Sequence, residues 1–175
     1  MKGKGSLNGF LKIDSKLLIA MSDQQVLKKG IDCIGLCVVY YCHDGKGNLL
    51  FTKRSQAARD EQGTWDVGGG AVELFDTIDE TIRKEIKEEF MTDVISYEFL
   101  NYRDVHRQLA NGQKTHWLAL DFIVEIDPAQ AQIGEPHKFD EMRWVTLDNL
   151  PQPLHSQLMI SIEQNKPKLL SILKR

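Results

Sequence analysis

The chain has 175 residues, 42% hydrophobic and 27% charged, with a formal net charge of −3. That size and balance suit one globular domain. A slightly acidic chain gives no electrostatic reason to expect duplex nucleic acid or an acidic membrane as partner, and no apolar run approaches the roughly 20 residues of a membrane span.

Residues 1–30 read as an N-terminal extension and 31–175 as the domain. The opening MKGKGSLNGFLKID has basic residues but no sustained apolar core after them, so a secretory leader is not expected. Ser22 with Gln25 forms a capping-box pattern for a short helix that Gly30 would end. Residues 32–42, rich in Val, Ile, Tyr and Cys, predict a buried strand. This segment holds Cys33, Cys37 and Cys42. An odd count without C-x-x-C spacing predicts buried free thiols in a reducing, cytoplasmic compartment.

HDGKGN at 43–48 is a turn signal, and LLFTKR at 49–54 a second strand. Residues 55–63 read as a polar loop. TWDV is a short strand running into Gly68, Gly69 and Gly70. Thr77, three residues before Glu80, caps a helix. Ile78, Ile82, Ile86 and Phe90 recur every four residues and lay an apolar stripe along it. Glu85, Glu88 and Glu89 share a second face about a quarter-turn away. By itself, such a cluster is either a solvated helix face or a metal site.

ISYEFLNYRDVHR and THWLALDFIVEI are strand-like, and Asn111-Gly112 between them predicts a hairpin. EMRWVTL is another strand. LHSQLMISIEQ is a helix, separated by Pro167 from a short apolar tail. Trp65, Trp117 and Trp144 are strand residues. His106 and His116 fall on neighbouring strands, either as pocket contacts or in ordinary packing. Strands flanked by a few helices predict an α/β sandwich around a mixed β-sheet.

From Gly70 the sequence runs GAVELFDTIDETIRKEIKEEF. It resembles the Nudix box: a glycine, five residues, a glutamate, seven residues, then Arg-Glu-hydrophobic-any-Glu-Glu and, after one more residue, a glycine. Gly70, Glu85, Ile86, Glu88 and Glu89 match over residues 70–92, with Gly69 preceding the box. Three positions depart: Asp76 stands for glutamate, Lys84 for the arginine and Met91 for the closing glycine. A lysine lacks the planar fork with which the arginine braces the box glutamates. The stretch EPHKFDEMRWVTLDNLPQPL is similar to one in nucleoside-triphosphate-cleaving Nudix proteins.

The resemblance implies an α/β/α sandwich and a hydrolase of phosphoric anhydride bonds. Its cofactor would be magnesium, with manganese an alternative. It implies Glu85, Glu88 and Glu89 as catalytic ligands or base, Glu85 or Glu88 being the base. The Gly69 carbonyl would be a further metal ligand; Glu135, Asp140 and Glu141 are candidates for an acidic residue reaching back to the metal or to the nucleotide base, Glu135 and Glu141 as metal ligands and Asp140 as a substrate contact. Magnesium prefers oxygen donors, and a bound cation reverses the like-charge problem of the cluster. Arg54, in TKR, is the candidate phosphate contact, because arginine suits bidentate phosphate recognition. Gly69 and Gly70 would let backbone approach metal and phosphate closely. The expected partner is a small nucleotide, first a nucleoside triphosphate. Alternatives are ADP-ribose or a nucleotide sugar, and a non-catalytic nucleotide-binding domain. A monomer or homodimer is expected.

Overall fold

The computed structural model describes residues 27–174. The capping box expected at Ser22 and Gln25 lies outside them. The elements are β1 (Gly35–His43), β2 (Leu49–Arg54), β3 (Trp65–Asp66), β4 (Gly68–Ala71), α1 (Ile78–Phe90), β5 (Val94–Gln108), β6 (Lys114–Ile126), β7 (Phe139–Val145) and α2 (Leu158–Leu173).

One seven-stranded sheet runs β3-β2-β1-β6-β5, with β4 also paired to β1 and β7 to β2. The β1–β6 ladder is parallel and the other pairs are antiparallel, so the sheet is mixed as expected. Strand β1 shows why a helix is needed on each side. Side chains alternate along a strand, so Val38, Tyr40 and Cys42 join a core with Ile82, Ile86 and Phe90 of α1. Val39 and Tyr41 fall in the opposite core, with Leu158, Ile162 and Leu169 of α2. A strand covered on both faces reads as a nearly continuous apolar run.

The Thr77 capping box forms in full, with the Glu80 amide bonded to Thr77 Oγ1 and the Thr77 amide to Glu80 Oε2. Of the apolar stripe of α1, Ile82, Ile86 and Phe90 are buried and Ile78, in the first turn, is half-buried; each fully buried side chain stabilises by about 1.5–3 kcal/mol. The β5–β6 hairpin closes at Gly112, which takes φ +83°.

Two expectations are corrected. Helix α2 starts later than predicted and runs through Pro167 to Leu173. Pro167 and Glu163, the carbonyl partner it cannot serve, are both exposed, while Leu169 beyond it is wholly buried. The burial of that last turn outweighs one missing ladder bond at the surface. Of the three free cysteines only Cys42 is buried; Cys33 is exposed and Cys37 half-buried. Cys33 precedes β1, so sheet burial does not reach it. Among the described residues no helix is long and apolar enough to cross a membrane.

Candidate active site

Helix α1, strand β4 and the loop before β7 meet around a cavity of about 620 Å3. The isoleucines set the rotation of α1. Glu85 and Glu89 each follow a wholly buried isoleucine by three positions, and both line the cavity wall. Glu88 is exposed.

Glu89 is buried, and Tyr40 donates its hydroxyl hydrogen to Glu89 Oε2 at 2.6 Å. Tyr40 packs edge-on against Phe90, with ring centroids 6.0 Å apart. Burial pushes the Glu89 carboxyl up to about 8; the Tyr40 hydrogen bond pulls it back, Glu85 and Glu135 push it further and Lys138 opposes them. Burial also raises Glu85, with Lys138 opposing and Glu88 adding to the rise.

The three glycines have different tasks. A Cβ on Gly68 would lie 1.9 Å from a ring carbon of Tyr40, so this glycine admits the tyrosine that holds Glu89. A Cβ on Gly70 would lie 2.1 Å from Glu85 Cδ, so this one leaves room for the carboxylate itself. Gly69, between them, pairs with Val39 of β1 and lines the cavity.

The loop before β7 caps the end of α1. The amide of Gln132 bonds the Phe90 carbonyl at 2.9 Å, and that of Gly134 the Glu89 carbonyl at 2.8 Å. This anchoring brings Glu135 and Lys138 to the cradle, their charges 2.5 Å apart. Against the penalty of burial, Glu135, Glu89 and Glu85 hold the Lys138 ammonium above its usual range. Of the three acidic candidates in this segment, only Glu135 is coupled to Glu85 and Glu89. Asp140 is exposed, and Glu141 turns to Arg143, with Nε 2.5 Å from its Oε1; neither lines the cavity.

The departures from the box pattern have local explanations. Met91 takes the left-handed conformation at φ +55° and bonds the Lys87 carbonyl, so the helix ends there as it would with a glycine. Lys84 Nζ stands 4.0 Å from Asp76 Oδ2, so the two substituted positions face each other as a charge pair.

The far wall is cationic. Arg54 reaches the cavity, but its Nε and Nη2 bond Asp60, at 2.9 and 2.6 Å. Arg107 pairs with the same Asp60 and with Glu61. Arg59 lines the cavity with no ion pair among the described residues. Arg103 is held by two bonds, 2.7 and 2.9 Å, to the fully buried Asp121, which also accepts from Ser161 and Asn165 of α2. Trp117 lies against Gly30 and Gly35, where a Cβ would enter its indole, and lines the cavity too. His106 and His116 do not line it. Tyr40, Lys138, Arg59 and the Arg103–Asp121 pair carried no signal pointing to a site. Tyr40 reads as core, and the others as ordinary surface or strand charges.

A family model for the NUDIX domain matches residues 35–164. The chain belongs to the Nudix family. It is a Nudix hydrolase, an enzyme acting on phosphoric anhydride bonds. No curated protein matches it in sequence. A MutT Nudix hydrolase from Burkholderia pseudomallei is 27% identical, with a TM-score of 0.65 over 74% of this chain and 96% of that one. Two further Nudix structures show the shared fold. The Nudix domain of Shewanella oneidensis NrtR, complexed with ADP ribose, is 18% identical, with a TM-score of 0.62 over 90% of this chain and 99% of that one. A MutT protein from Methanosarcina mazei Go1 is also 18% identical, with a TM-score of 0.61 over 85% and 96%.

Proposed function

We propose that this Nudix hydrolase cleaves a nucleoside triphosphate to the monophosphate, in a reaction dependent on magnesium, for which manganese can substitute. The observation that carries this reading is the convergence of Glu85 and Glu89 beside the Gly69–Gly70 backbone at one cavity wall, with the charge of Glu135 acting on both and Glu88 next to them on the helix. Glu85, Glu88, Glu89, Glu135 and the Gly69 carbonyl form an all-oxygen donor set, which fits a hard cation. Carboxylates raised by burial, and further by one another's charge, are also the groups that a cation would relieve. The cation, when bound, supplies charge neutralisation at the phosphates and a more acidic water.

The chain's own residues do the rest. Tyr40 fixes the Glu89 carboxylate, and Gly70 leaves Glu85 free to face the substrate. Glu85, half-buried and raised, accepts the proton of the attacking water, with Glu88 the other candidate for this role. Arg59 and Arg54 meet the phosphates from the opposite wall. The nucleoside occupies the end lined by Arg103 and Trp117.

A screen for magnesium-dependent release of the nucleoside monophosphate over nucleoside triphosphates, nucleotide sugars and ADP-ribose tests this. Release from triphosphates supports it. Release of AMP from ADP-ribose alone moves the substrate to the nucleotide-sugar class, and binding without turnover leaves a nucleotide-binding domain. Glu88→Gln and Glu89→Gln should each abolish turnover in folded protein; full activity in both would remove the assignment of the cradle.

A further inference from the structure

The β5–β6 hairpin carries a second group of metal-ligating side chains. Arg103, Val105 and Arg107 of β5 line the catalytic cavity. Alternation along the strand therefore places Asp104 and His106 on the other face of the sheet. His106 stands directly opposite His116 of β6 in the ladder, and Asp104 opposite Leu118. The two imidazoles stack with centroids 4.1 Å apart and planes 26° apart. His116 Nε2 lies 3.2 Å from Asp104 Oδ1. One ligand atom from each of the three residues lies within 4.8 Å of the others. Asp104 and His106 are exposed and His116 half-buried, so an ion can enter without any backbone change.

The backbone beneath them is held in place. The ladder continues on both sides, to Gln108–Lys114 and to Tyr102–Leu120. The amide of His116 donates to the Gly30 carbonyl at 2.8 Å, tying the strand to the segment before β1. Only side-chain rotation is needed to bring the three donors onto one centre. The other charged group this ladder places on the same face nearby is Lys114, two residues from His116.

Two imidazoles and a carboxylate select a different class of ion from that of the cradle. Imidazole suits zinc, copper and nickel, whereas carboxylates, carbonyls and water suit magnesium. Three protein ligands leave a tetrahedral zinc one open position. We propose that Asp104, His106 and His116 form a binding site for a borderline divalent transition-metal ion, zinc first, on the face of the β5–β6 hairpin turned away from the cavity-lining Arg103, Val105 and Arg107.

The test is a zinc titration of the full-length, tag-free protein in millimolar magnesium, which keeps the carboxylate cradle supplied with its own ion. The imidazole proton resonances report binding. One equivalent of zinc should shift or broaden the His106 and His116 signals. His106→Ala and His116→Ala should each weaken binding by about tenfold or more, since even residues that only support a ligand contribute about that much. Asp104→Asn should weaken it in the same direction. Magnesium-dependent turnover should be unchanged in all three variants, and their melting temperatures without zinc should match the wild type. The proposal is overturned if the double variant His106→Ala/His116→Ala binds zinc as the wild type does. It is also overturned if zinc binding is lost in Glu85→Gln/Glu89→Gln while the two histidine signals stay fixed in the wild type.

Discussion

Replacing Glu89 with glutamine should stabilise the metal-free enzyme, and by an amount that depends on pH. Glu89 is buried, and its folded-state pKa stands at about 8 against an ordinary 4.5. A raised folded-state pKa means that the folded protein holds the proton more tightly than the unfolded chain. The contribution to stability is therefore full below pH 4.5 and is lost as pH climbs to 8. At 1.36 kcal/mol per unit, the loss is about 1 kcal/mol at pH 5 and about 4 kcal/mol at pH 8. Glutamine has no such titration and keeps an acceptor for the Tyr40 hydroxyl. Urea unfolding of both proteins in EDTA, from pH 5 to pH 9, measures the difference. The curves should nearly meet at the acid end and diverge towards pH 8, where the variant should be more stable by about 4 kcal/mol. Magnesium should narrow the gap by stabilising the wild type alone. Stability curves that stay parallel across this range would refute the reasoning.

Three further outcomes follow from the packing. Gly70→Ala should leave the fold intact by circular dichroism but lower kcat by about 100-fold, because the new Cβ meets the flexible end of Glu85 and displaces it. Asp121→Asn should cost about 3–5 kcal/mol in denaturant unfolding, since it leaves the buried Arg103 guanidinium without its countercharge. Phe75→Gly should raise stability by about 1 kcal/mol in the same assay. Phe75 sits at φ +76° with its side chain 93% exposed, so glycine relieves strain and forfeits no packing.

Much of the fold was legible because local rules and tertiary contacts agree. The apolar run of β1, the Thr77 cap and the four-residue stripe of α1 each follow from residue type and spacing, and the structure uses all three. Propensity ends α2 before Pro167, because it counts the missing amide but cannot see that the turn beyond it buries Leu169. In the same way, Met91 is foreign to a glycine position until its left-handed cap is seen.

The sequence by itself determined the box, and with it the carboxylates Glu85, Glu88 and Glu89, because their spacing lies within one helix. Which other groups join them depends on contacts between residues far apart in the chain. Tyr40 reaches Glu89 from 49 positions away. Glu135 and Lys138 arrive because amides of their loop bond the carbonyls at the end of α1. Glu141, the same residue type as Glu135 and six residues further on, turns instead to Arg143. Composition cannot separate those two glutamates; what separates them is where the capped loop ends and β7 begins.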